Sequence, residues 1–208
     1  MEKIKMLFAH KFFKILKWAF LVLIGLFIIL VIGRVIYRAN EDKINAQVEK
    51  IHNTKLTMDD VMGTNLPPDP GAEADKTVQG IDANHNGIRD DVELAVFKAY
   101  PNSAKTRAVL LQYALALQME VIQPMVNTVT ATEVVREQSR GFECIGNIIP
   151  RENSQKFSEE TDLLTKFVED RQFNTKERKD SRNLFVEKVR TYSGLDRICD
   201  IDYSKLLD

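Results

Sequence analysis

The sequence predicts an all-α protein: one N-terminal transmembrane helix followed by a bundle of four to five helices. Three observations carry that prediction. Residues 18–33 are a run of 16 with no charged or strongly polar side chain. Beyond residue 90, apolar side chains recur at spacings of three and four, the period of a helix with a buried face. Glycine and proline number only 9 and 6 in 208 residues, and many of them cluster between these two parts. Composition also sets limits. Two Cys and three His exclude a disulfide-dense scaffold and leave little for a zinc cluster. A single long apolar run excludes a polytopic transporter.

Residues 1–17 carry Lys3, Lys5, Lys11, Lys14 and Lys17 against Glu2 and read as a basic cytoplasmic tail. The apolar run that begins at Trp18 is about 24 Å long as a helix. Arg34 can snorkel, and Val35, Ile36 and Tyr37 extend the apolar face, which gives a signal anchor over 18–37 that contacts the lipid bilayer. Trp18 and Tyr37 stand at its two ends, where interfacial aromatics are expected. The excess of Lys before the span places the N-terminus in the cytoplasm and the remainder outside. The expected location is a bacterial inner membrane, with the C-terminal domain in the periplasm. A cleaved signal peptide is the main rival, with Val31-Ile32-Gly33 as a poor cleavage site. Its apolar core would exceed the usual roughly 7–15 residues. A helix lying on the surface would need a polar stripe, and Trp18–Gly33 has none.

Setting aside the seven basic residues up to Arg38, together with Glu2, leaves 22 basic and 29 acidic side chains in 39–208, a net charge of −7. Such a domain is a poor generic binder of nucleic acid, so no nucleic-acid partner is expected. Residues 38–62 read as a stalk, with Ile44, Val48 and Ile51 on one face of a helix over 41–53. Gly63, Pro67, Pro68, Pro70, Gly71 and Gly80 make 63–81 a linker.

The helical domain spans 91–208. Its first helix, 91–100, has Val92, Ala95, Val96 and Ala99 on one side. Pro101-Asn102-Ser103 ends it, and Ser103 caps the next. Residues 104–122 are apolar nearly all round and form the central helix. Residues 125–140 read as helix, weakened by β-branched Val126, Thr128, Val129 and Thr130. A loop over 141–150 carries Cys144. Ser158 then caps a helix to Arg171, with Leu163, Leu164, Phe167 and Val168 inward. The last helix covers 175–192, with Leu184, Phe185 and Val189 inward, and ends at Ser193-Gly194. Its run Lys176-Glu177-Arg178-Lys179 reads as a solvated face. Cys144 and Cys199 are expected to form a disulfide in an oxidising compartment. Loop-closure entropy gives it a stabilisation of about 4 kcal/mol. Two separate buried thiols are the alternative.

One segment carries a chemical pattern. Residues 82–93 place Asp82, Asn84, Asn86, Asp90 and Glu93 at the first, third, fifth, ninth and twelfth positions of a twelve-residue loop, with Gly87 sixth. Ca²⁺ takes six to eight oxygen ligands, and this alternation supplies them, with the Ile88 carbonyl as a further donor. The pattern satisfies the EF-hand expression. With the aliphatic Ile88 seventh and Arg89 eighth, it resembles the calcium repeats of the thrombospondin type-3 kind more closely than an ordinary EF-hand. The segment 86–93 also resembles a loop of uncharacterised exported bacterial proteins. These resemblances cover the loop alone, and they imply Ca²⁺ as cofactor and a calcium-type loop at the entrance to the bundle. No helix is expected before the loop, and two ligands are neutral Asn. Both features point to a structural site of roughly 10⁻⁴–10⁻³ M affinity. An Asx-rich turn without metal is the competing reading, and His85 is expected to face outward.

No catalytic residue is assigned. Beyond the span the imidazoles are His52 and His85, and neither has a Ser-His-Asp or Cys-His neighbourhood. Glu120, Glu133, Glu137 and Glu143 are the acids near the central helices, and Glu133 and Glu137 share a face at a spacing of four. The expected function is a binding or organising role toward an unidentified envelope protein or surface component, more in keeping with a non-enzyme. A membrane-tethered carboxylate hydrolase and an inhibitor or immunity-type protein are the alternatives.

Overall fold

The computed structural model describes the backbone of residues 2–124, 126–192, 194, 195 and 197–206, and side chains from Lys14 onward within those ranges. Its regular structure, among the described residues, is helical throughout: seven α-helices and two short 3-10 turns. The calls that fall on Met125 and Ser193 lie outside the described residues.

Helix α1 runs from Glu2 to Asn53. The chain divides into two compact units, Met1–Ala46 and Gln47–Asp208. In the first, Trp18, Phe20, Phe27 and Leu30 are 63–71 % exposed. Over 18–33 the helix is apolar on every face, and its large apolar side chains there are exposed. Among the described residues it is the one helix long and apolar enough to cross a membrane, as a membrane anchor or a signal sequence would be.

The second unit begins with the last turns of α1, where Gln47 and Ile51 are buried. Residues 38–62 are therefore not one stalk helix. The chain leaves α1 at Asn53 and re-enters helix as α2, Met58–Met62. Thr57 caps α2 and receives the Asp60 carboxylate in return, a reciprocal box that stops α1 from continuing through it. Helices α3 (Asp90–Ala99), α4 (Ala104–Ile122), α5 (Thr128–Ile148), α6 (Ser154–Gln172) and α7 (Lys176–Val186) follow. Helix α4 is the axis of the bundle, in contact with α2, α3, α5, α6 and α7. Val109, Leu110, Leu111, Ala114 and Leu117 on it are wholly buried, as its apolar circumference required.

Four helix ends differ from expectation by more than one residue, the first being that of α5, which starts at Thr128 behind its Asn127 cap. Residues 141–148 continue α5 instead of forming a loop. Gly141 and Gly146 lower helix propensity, but burial of Cys144 and Ile145 against the core outweighs it. Gly141 is needed there because a Cβ would lie 2.9 Å from Tyr113 Cα on α4. Helix α6 starts five residues early, capped by Asn153, which accepts from Lys156 N at 2.9 Å. Asn caps as well as Ser. Helix α7 stops at Val186, and Arg190 N donates instead to Thr132 Oγ1 on α5 at 3.2 Å.

The segment 63–81 is no free linker. It contains a 3-10 turn, Gly71–Asp75, and is fastened by buried arginine. Arg178 on α7, fully buried, donates to Ala74 O (2.5 Å), Thr77 O (3.1 Å), Val78 O (3.0 Å) and Asp75 Oδ1 (2.5 Å). Arg107 on α4 similarly reaches Val61 O at 3.0 Å and Tyr100 O at 2.9 Å. Irregular backbone leaves carbonyls without partners, and a guanidinium brings five donors in a fixed fork. The reading of 176–179 as a solvated face holds for its neighbours and fails for Arg178. Cys144 and Cys199 sit at disulfide distance, 2.03 Å between sulfurs, which joins helix α5, not a loop, to the C-terminal segment.

Candidate metal centre

The loop before α3 is built by its own side chains. Asp82 accepts from Asn86 N (3.1 Å) and Gly87 N (3.0 Å). Asn86 Oδ1 accepts from Ile88 N at 2.9 Å, and Asp90 from Ala83 N at 3.0 Å. These short Asx bonds wrap the chain around its acids. Gly87 has φ 85°, and a Cβ there would lie 2.7 Å from Leu115 Cδ1, so the sixth position tolerates glycine alone. The Ile88 side chain is fully buried and anchors the loop to the core. His85 is exposed, as expected.

Asp90 and Glu93 lie in the first turn of α3. Glu93 is 1 % exposed. Its Oε1 and Oε2 each lie 3.1 Å from an amide nitrogen, of Asn86 and Asn84 respectively. The structure thus brings Asn84, Asn86 and Glu93 into direct contact, while Asp82 and Asp90 hold the loop backbone beside them. A further acid joins from α2: Asp60 Oδ1 lies 3.3 Å from Asn86 Nδ2. Sequence reasoning missed Asp60, because Thr57-x-x-Asp60 reads as a capping box and nothing in the spacing ties it to a loop 22 residues on.

Arg89 was also missed. It stands where an EF-hand has an aliphatic residue, and it is fully buried. It pairs with Asp91 at 2.5 and 2.8 Å and donates to Arg171 O (2.6 Å) and Gln172 O (3.1 Å). A cation on the unpaired carbonyls that end α6 seats the loop against the bundle.

Burial pushes the Glu93 carboxyl up to about 7. The Asn84 and Asn86 amides pull it down, and the charges of Asp60 and Asp90 push it further up. Burial likewise raises Asp90, against its bond from Ala83 N. Among the described residues no three or more His, Cys, Asp or Glu side chains converge in a metal-holding group, since the oxygens of Asp82 and Asp90 face backbone N–H groups. The donor set is nonetheless all hard oxygen. An Asn amide presents oxygen on one side and nitrogen on the other, so a half-turn of Asn84 and Asn86 changes donors toward Glu93 into acceptors. The chemistry of the residues suits Ca²⁺.

The acids considered for catalysis are placed differently. Glu133 and Glu137 do share a face of α5, but both face cations. Glu133 meets His52 Nε2 (3.1 Å) and Arg136 (3.0 Å). Glu137 meets His52 Nδ1 (3.3 Å), Lys55 (2.7 Å) and Arg140. Glu120 on α4 is buried, accepts from Gln138 Nε2 at 2.5 Å, and leaves Oε2 without a hydrogen bond. Burial raises it to about 7. Glu143 is exposed. No protein-family model, curated protein or solved structure matches this chain.

Proposed function

We propose that this chain is an envelope protein whose helical domain, outside a bacterial inner membrane, carries a structural Ca²⁺ loop and binds or organises another envelope protein or surface component. The observation that carries the metal reading is the Glu93 carboxyl, buried and facing two amides, with Asp60 beside one of them. A buried carboxylate without a cation is costly, and a hard divalent ion removes that cost. Asp82, Asn84, Asn86, the Ile88 carbonyl, Asp90 and Glu93 would hold it. The ion would supply charge neutralisation and would join the loop to the first turn of α3. The long apolar helix supports the anchor. The Lys excess before it supports a cytoplasmic N-terminus, and the paired Cys144 and Cys199 suit an oxidising compartment. The ion pairing of Glu133 and Glu137 leaves the hydrolase alternative with less support.

The test uses the full chain in neutral detergent at pH 7.5. With Kd at about 10⁻⁴–10⁻³ M, 10 mM Ca²⁺ stabilises by about 1–3 kcal/mol over chelator through mass action. That gain should vanish in D82A/E93A and in the milder E93Q. Equal melting of parent and variants, insensitive to chelator, refutes the site. A reporter fused after Asp208 that is active in the cytoplasm refutes the topology.

A further inference from the structure

A second polar site lies apart from the loop, where the end of α1, the middle of α5 and the C-terminal segment meet. It forms an open concavity of about 470 Å³, within the range of small-ligand sites. Its wall holds Lys55, Arg136, Arg140, Arg197 and His52 against the carboxylates of Glu137 and Asp200. That balance is the reverse of the domain around it, which carries a net charge of −7 by composition.

The cations divide into two sets. Arg140 is buried and structural: it pairs with Glu137 and with Asp200 Oδ1 (2.7 Å), and gives Nε to Arg197 O at 2.5 Å. Asp200 in turn accepts from Leu56 N at 3.1 Å. Lys55, Arg136, Arg140 and Arg197 together exceed Glu133, Glu137 and Asp200 by one positive charge. Arg136 gives Nη1 to Glu133 at 3.0 Å, Lys55 gives one N–H to Glu137 at 2.7 Å, and Arg197 gives Nη2 to Asp200 O at 2.9 Å. Each retains further N–H donors. Arg136 and Lys55 are only 27 % and 35 % exposed, so their charge is partly shielded from water, where a charge-assisted bond gains strength.

We propose that this cavity binds a phosphate group. Two guanidiniums and an ammonium around one concavity match its tetrahedral, anionic oxygens, and the space accommodates a small organic substituent besides. Such a group comes from a free phosphate monoester or from a phospholipid headgroup. The proposal does not depend on the Ca²⁺ reading, since none of its residues belongs to 82–93.

The test is calorimetric titration of the full chain in neutral detergent with glycerol 3-phosphate, and separately with short-chain phosphatidylglycerol below its micelle concentration. Saturable 1:1 binding is expected. It should weaken at least tenfold in R136Q and in R197Q, both of which should melt with the parent when no ligand is present. Tighter binding of glycerol 3-phosphate assigns the monoester, and tighter binding of the lipid assigns the headgroup. Absence of saturable binding to either probe, or equal binding by parent and both variants, overturns the proposal.

Discussion

Replacement of Glu120 by Gln should stabilise the domain, by an amount set by pH. Glu120 is 3 % exposed on α4, with Oε1 bonded to Gln138 and Oε2 to nothing. Its pKa rises from 4.5 to about 7 on folding, chiefly through burial. The folded chain therefore holds this proton more tightly than the unfolded chain. The resulting stability is fully present below pH 4.5, and it is lost as pH rises through about 7. At 1.36 kcal/mol per pKa unit the loss is about 3 kcal/mol. Glutamine has the same shape, keeps an oxygen for Gln138 and carries no charge to desolvate. E120Q should gain about 2–3 kcal/mol at pH 8, the net cost that remains after attraction to Arg182 has offset part of the burial penalty. For a unit of this size that is about 4–10 °C in Tm. Differential scanning calorimetry of parent and variant at pH 8 and pH 4.5 reads both ends of the window, and the two proteins should converge at the acid end. An E120Q protein that melts at or below the parent at pH 8 would show that Glu120 is not the uncompensated charge described.

R178M should cost about 3–5 kcal/mol, because it leaves the carbonyls of Ala74, Thr77 and Val78 without the buried guanidinium that satisfies them. Trypsin should then cut faster after exposed Lys76 within that segment, and unchanged cleavage would show that Arg178 does not hold it. Reduction of Cys144–Cys199, or the paired C144S/C199S change, should cost about 4 kcal/mol on the chain-entropy account. Hydrogen exchange should quicken in 197–206, and a tail still protected after reduction would mean that the Arg140–Asp200 pair suffices.

Much of the helical domain could be read directly because apolar periodicity is a local record of burial. The uniform apolar surface of 104–122 marked α4 as central, and Ser103 capped it as read. The errors share a cause. Gly141 looked like a break, but its missing Cβ is what lets α5 approach Tyr113, a fact about another helix. Arg178 looked like one of several surface cations, since nothing local shows that it reaches the carbonyls of 74–78. At the loop, the Asx spacing was legible because its bonds span only a few residues. Asp60 was not, because its approach to Asn86 depends on how α2 packs.

By itself the sequence determined the apolar N-terminal helix, the helical class, the central helix and the oxygen-rich turn with glycine at its sixth position. Each depends on bond geometry or side-chain type within a few residues. Tertiary structure alone decided which charges went inside. Arg89, Arg107, Arg178 and Arg140 are buried because distant carbonyls and carboxylates surround them. It also decided that Glu93 and Glu120 lie in water-poor surroundings. A charged side chain has no intrinsic burial; its position and its proton affinity follow from the partners that packing brings to it.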